Sequence, residues 1–146
     1  MILIAHRGNI EGKTSFENTP NYILNALQKG YECEIDVHFK NESWFLGHDN
    51  ILTEISINFL LLSKLWLHAK TIPTIHELMK YDVNCFYHEN DPCVLTSKGY
   101  IWTYTGYSLG PVGRQNNSIC VLPELYDVKQ FDCIGICSDN IKKYLK

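Results

Sequence analysis

Ile2-Leu3-Ile4-Ala5-His6-Arg7-Gly8 opens the chain, and its reading decides the fold. Residues 2–5 are short and wholly apolar and run straight into a polar cluster. This is the pattern of a strand buried on both faces with its chemistry at the carboxyl end. The chain then stays polar through Lys13. Thr19-Pro20 opens a helix, with Thr as cap and Pro in the first turn; Tyr22, Ile23, Ala26 and Leu27 recur at helical spacing and Gly30 ends it. Residues 32–39 alternate as a strand, with Glu34, Asp36 and His38 on one face and Cys33, Ile35 and Val37 on the other. Residues 40–43 are turn-like, and residues 44–46 return as a second short strand leading to Gly47-His48-Asp49.

Further on, residues 65–68 read as a strand, followed by a helix that starts at Pro73 and has Ile72, Ile75, Leu78 and Met79 on its apolar face. Residues 83–87, 101–104, 119–122 and 133–136 are short apolar or aromatic runs bounded by Gly, Pro, Asn or Asp. Residues 107–117, with Gly110, Pro111 and Gly113, read as loop. There is no repeat, low-complexity tract or linker, so residues 1–146 are expected to form one domain.

Composition narrows the function. The chain has 45% hydrophobic and 20% charged residues, which places it among globular domains. Thirteen Lys and Arg against 16 Asp and Glu give a net charge of -3, which offers no long-range attraction for nucleic acid or an anionic membrane. No apolar run approaches the roughly 18–20 residues of a membrane span. The six cysteines (Cys33, Cys85, Cys93, Cys120, Cys133, Cys137) have no C-x-x-C spacing and read as buried thiols without a chemical role. The N-terminus lacks the pattern of a signal peptide, so a reducing cytoplasm is expected.

Glu34 and Asp36 point the same way from one strand, and two hard carboxylate oxygens in one cavity suit Mg or Ca better than Zn. His6 and His48 end two neighbouring strands, and imidazole, with an unperturbed pKa of about 6.5, acts as acid or base near neutrality. Each residue also has a plainer reading: a solvated strand face for the carboxylates, a turn for His48-Asp49, core packing for Trp102. His38 lies one step beyond the carboxylate pair and fits a strand-end role; His76, mid-helix beside Glu77, fits the surface.

Order and spacing favour the chemical reading. Ile4-Ala5-His6-Arg7-Gly8, then Glu17-Asn18-Thr19-Pro20, then Glu34-Ile35-Asp36-Val37, then Gly47-His48-Asp49 resemble the glycerophosphodiester phosphodiesterase family. That family belongs to the phosphatidylinositol-phospholipase-C-like phosphodiesterases, which also include the spider-toxin phospholipase D enzymes. The match covers the first third of the chain. It implies a TIM barrel and a metal held by Glu34 and Asp36. It also implies that His6 and His48 are the acid/base pair acting through a cyclic phosphate, that Arg7 clamps the phosphate, and that Glu17 and Asn18 stand beside the site. These roles suit a phosphodiester, whose negative charge repels nucleophiles and calls for a cation, a base and an acid.

The chain departs from the family at the third metal ligand, usually a Glu in the pattern apolar-Glu-apolar-Lys. Its nearest counterpart is Leu67-His68-Ala69-Lys70, with His68 in the ligand position and Lys70 facing the phosphate. In a second register, Ile72-Pro73-Thr74-Ile75-His76-Glu77-Leu78 resembles the family's helix before that strand, which implies a ligand from His88, Glu89 or Asp91. Toward the C-terminus, Gly99-Tyr100-Ile101-Trp102-Thr103-Tyr104 is similar to a late strand whose aromatic borders the substrate, here Trp102; Gly135-Ile136-Cys137-Ser138-Asp139 is similar to the closing strand.

A TIM barrel of eight strand-helix units typically needs about 250 residues. The expectation for 146 residues is therefore a shortened, irregular TIM-type (β/α) barrel with seven or eight strands and three or four helices. The function expected is a metal-dependent phosphodiesterase using Mg or Ca on a small glycerophosphodiester or lysophospholipid, releasing either hydrolysed product or cyclic phosphate. The alternative is a phosphate-binding or structural barrel without activity. Missing helices would expose apolar surface and favour a homodimer.

Overall fold

The computed structural model describes residues 1–104, 117–126 and 132–145; most of the loop expected over residues 107–117 lies outside the described residues. The strands are β1 (Ile2–His6), β2 (Glu32–Lys40), β3 (Ser43–Leu46), β4 (Thr53–Ile55), β5 (Leu65–Ala69), β6 (Cys85–Phe86), β7 (Cys93–Leu95), β8 (Ile101–Tyr104), β9 (Ser118–Val121) and β10 (Gly135–Ser138). The helices are α1 (Pro20–Gln28), α2 (Ile57–Leu60) and α3 (Ile72–Leu78), with 3-10 turns at Pro123–Leu125 and Ile141–Tyr144.

The expected TIM-type barrel is not what forms. Among the described residues ten strands join one curled, mixed sheet, a half-barrel carrying three short α-helices. Strands β6, β5, β2, β1, β10, β9 and β8 run parallel in that order, while β3, β4 and β7 add antiparallel pairs at its margins. Among the described residues β6 forms a ladder with β5 alone and its other edge meets only Ser97, whose N–H donates to the Cys85 carbonyl at 2.8 Å, so no strand ladder closes the curl between β6 and β8. The physical reason is helix shortage. A parallel crossover needs a dozen or more residues, and a closed (β/α) barrel needs a helix in every one. Here α1 covers the β1-to-β2 connection and α3 the β5-to-β6 connection, but β2 reaches its parallel neighbour β5 by way of the β3–β4 hairpin and the four-residue α2.

Period-2 alternation divides the sheet's faces. Ala5, Cys33, Ile35, Val37, Leu65, Leu67 and Ala69 point to the face covered by α1 and α3, where they pack with Ile23, Ala26 and Leu78. The opposite, inner face has an apolar floor built from Ile4, Trp66, Phe86, Trp102, Ile119 and Val121. Trp66 Nε1 satisfies its one donor by bonding Glu32 Oε2 at 2.6 Å.

Local chemistry sets the helix ends. Thr19 is the N-cap of α1 and Pro20 opens it, but the Thr19 hydroxyl donates to the Phe16 carbonyl at 2.7 Å rather than capping the helix. Thr71 caps α3, accepting from the Thr74 N–H at 3.3 Å. The reading of six buried thiols needs correcting. All six cysteines are free; Cys33, Cys85, Cys120 and Cys137 are buried, but Cys133 is partly exposed and Cys93 exposed.

Candidate active site

The carboxyl ends of the parallel strands bring the chemistry together. Register places His6 beside Glu34 and Asp36 beside His68, all on the inner face above the aromatic floor. Ala5 pairs with Ser138, so the next step along each strand sets His6 beside Asp139. Glu34 is 2% exposed, Asp36 0% and His68 9%. Charges so deeply buried persist only with partners.

Asp36 has the most partners. Its Oδ2 accepts from Asn18 Nδ2 at 2.9 Å, while its backbone N–H donates to Asn18 Oδ1 at 3.0 Å. Arg7 Nε lies 2.9 Å from Oδ2, an ion pair set off the N–H axis, and Lys70 Nζ lies 3.4 Å from Oδ1. Arg7 also reaches Glu17 at 3.3 Å. Both residues that bracket this corner adopt left-handed backbone, Arg7 at φ 54 and Asn18 at φ 58, and the Asn18 N–H bonds the Arg7 carbonyl. Strain of this kind, on non-glycine residues, concentrates at functional sites. Burial alone would raise the Asp36 carboxyl, yet the His68 contact and the Arg7 and Lys70 charges hold it well below the usual range. Glu34 goes the other way: burial, and then the charge of Asp36, push it up.

Glu34, Asp36 and His68 each offer a ligand atom within 4.8 Å of the others, so the three can hold a metal ion. His68 Nδ1 lies 3.1 Å from Asp36 Oδ1 and 3.8 Å from Glu34 Oε1. Asp36 Oδ1, the oxygen turned to His68 Nδ1, is nevertheless buried without a hydrogen-bond partner. An orphaned carboxylate oxygen of this kind fits a site whose remaining partner is a bound ion.

His6 has a different neighbourhood. Its Nδ1–H donates to Asp139 Oδ1 at 2.6 Å, and its Nε2 faces Glu34 Oε2 at 3.7 Å. Asp139 is fixed in turn by Asn9 Nδ2 at 2.9 Å and, through its backbone N–H, by Glu124 at 2.8 Å; Glu124 also accepts from Ser138 Oγ. Burial would lower the His6 pKa, but the Asp139 bond and the Glu34 charge outweigh it and the net shift is upward. His48 sits outside this network, half-exposed, with Nδ1 2.7 Å from Asp49 Oδ1, a contact without hydrogen-bond geometry. Partial burial pulls its pKa down, and Asp36, Arg7 and Lys70 lie near enough for their charges to reach it. The turn that carries it is anchored by Gly47, whose N–H donates to the Asp36 carbonyl and whose own carbonyl accepts from His38 Nε2 at 2.9 Å.

Of the residues picked out from sequence, His6, Arg7, Glu17, Asn18, Glu34, Asp36, His68 and Lys70 form one connected cluster. Of the alternative third ligands, His88 lies against His68, the two rings stacked at 4.7 Å and 2°. Both His88 ring nitrogens lack partners, and burial with the His68 and Lys70 charges pulls its pKa down to about 4. Glu89 instead accepts from the Tyr87 hydroxyl. Trp102 is 2% exposed, 5.6 Å from Trp66 and 4.7 Å from Phe86, so it supports the floor and offers a substrate almost no surface. Sequence reasoning missed Asn9, Asp139 and Glu124. Asp139 was within reach, as the last residue of the closing-strand motif.

Fold and side chains together define a carboxylate–imidazole centre at the strand ends of a curled half-barrel. No protein-family model, curated protein or solved structure matches the chain. Among the described residues no helix is long and apolar enough to cross a membrane.

Proposed function

We propose that the chain is a metal-dependent phosphodiesterase of the glycerophosphodiesterase type. The observation that carries this reading is the union, on one buried face, of a metal-competent Glu34–Asp36–His68 triad with the Asp139-oriented His6. A divalent ion held there would supply positive charge to the non-bridging phosphate oxygens.

The protein's own groups account for the proton movements. A hydroxyl next to the diester attacks phosphorus, and His48, its pKa lowered, takes the hydroxyl proton. The bond to the leaving alkoxide breaks, and His6, its pKa raised, gives that oxygen a proton. The products are a cyclic phosphate and a free alcohol. In a hydrolytic second stage, water opens the ring with the two histidines exchanging roles. Lys70, 3.4 Å from Asp36 Oδ1, would meet the phosphate, and Arg7 holds Asp36 and Glu17 with its Nε and one terminal nitrogen.

That engagement of Arg7 favours the second reading, a phosphate-binding or structural scaffold without turnover. Hydrolysis of bis(p-nitrophenyl) phosphate and of glycerophosphodiesters, with divalent metals or EDTA, separates the two.

A further inference from the structure

Each carboxylate of the triad is left with a single inward oxygen. Asp36 Oδ2 is taken by Asn18 and Arg7, so only Oδ1 faces His68. Glu34 Oε2 accepts the Arg7 backbone N–H at 3.3 Å and faces His6, so Oε1 is the atom turned to His68. The two-oxygen grip by which carboxylates commonly hold calcium is therefore blocked at Asp36.

Charge points the same way. The two carboxylates already face the Arg7 guanidinium and the Lys70 ammonium, and Lys70 Nζ stands 3.4 Å from the very oxygen an ion would need. Magnesium and calcium are held by oxygen ligands and carboxylate charge, both of which this site offers sparingly. Its third donor is an imidazole, which suits first-row transition metals. The imidazole is also pre-set: the His68 ring stacks on Phe86 at 5.0 Å and 8°, and on His88 at 4.7 Å and 2°.

We propose that the Glu34–Asp36–His68 centre selects a first-row transition ion over magnesium and calcium, with His68 Nδ1 as the selecting donor and His88 as the positioning residue that holds its ring. The inference rests on the metal reading of the triad and not on the reaction assigned to it.

The test is calorimetric titration of the metal-free full chain with CoCl2, MnCl2, MgCl2 and CaCl2, backed by the visible absorption of the cobalt form. Cobalt is expected to bind at least about ten-fold more tightly than magnesium or calcium, with manganese between them. His68→Asp should collapse that ratio and remove the nitrogen-ligand signature from the cobalt spectrum. His88→Ala should weaken cobalt by about ten-fold and leave magnesium unchanged. Circular dichroism checks that His68→Asp folds; His68→Asn, which adds no third carboxylate charge to the buried pair, replaces it if it does not. Magnesium or calcium binding as tightly as cobalt, or a ratio unmoved by replacing His68, overturns the proposal. Tight cobalt binding through His68 in a chain that cleaves no diester rejects the phosphodiesterase reading and leaves this one standing.

Discussion

His6 Nδ1 and Asp139 Oδ1 lie 2.6 Å apart although 133 positions separate them in the chain. The bond ties the first strand to the residue just past the last one. It fixes the imidazole tautomer so that Nε2 faces the buried carboxylates. Asp139→Asn should lower kcat roughly 100-fold or more with little change in KM, because it acts on a proton-transferring group. A purely structural role would leave the pH profile alone. Here the alkaline limb should move to lower pH, since His6 loses the partner that raises its pKa.

The same pair sets a pH window for stability. His6 is raised in the fold, so its contribution is complete below about pH 6.5 and fades as pH rises through its folded value. Asp139 is lowered, with burial opposing and the His6 bond prevailing, so its contribution is complete above about pH 3.9 and fades as pH falls. The melting-temperature gap between wild type and Asp139→Asn in EDTA should be widest near pH 5–6 and narrow on either side. A gap that is constant from about pH 4 to pH 9 would contradict the linkage.

Gly47 has φ +143, and a Cβ built there would lie 1.9 Å from the Asn50 carbonyl oxygen. Relief requires backbone movement in the turn that carries His48. Gly47→Ala should cost about 1–3 kcal/mol, seen as a drop of roughly 3 °C per kcal/mol in thermal melts. An unchanged melting temperature would mean that the turn is not held as described.

Trp102 offers a contrast between support and contact. Trp102→Ala should destabilise by about 3–5 kcal/mol, the usual cost of truncating a large buried aromatic. Trp102→Phe should melt moderately lower and keep KM. A Trp102→Phe variant with wild-type stability and a strongly raised KM would return the ring to the substrate.

Legibility followed locality. β1, α1, β2 and the His48 turn were readable because apolar periodicity and polar strand ends fall close together in sequence. The carboxylate face of β2 came directly from the alternation of Glu34, Asp36 and His38 against Cys33, Ile35 and Val37. The three-residue strands β4 and β7 carry too little alternation to be seen. The Asp139 partnership, the tying of Arg7 to Asp36 and the burial of Trp102 depend on parallel register between distant strands, which composition and spacing do not encode. The missing ladder beyond β6, whose outer edge is met by Ser97 instead of a strand, was equally hidden: motif order says which strands occur but not whether their ends meet.

The central claim is best tested by hydrolysis of bis(p-nitrophenyl) phosphate and glycerophosphodiesters, comparing wild type with His6→Ala and Glu34→Ala in added divalent metal and in EDTA. The account expects a wild-type rate that EDTA abolishes and a loss on the order of 100-fold or more in each variant. Equal background rates in all three proteins would contradict it.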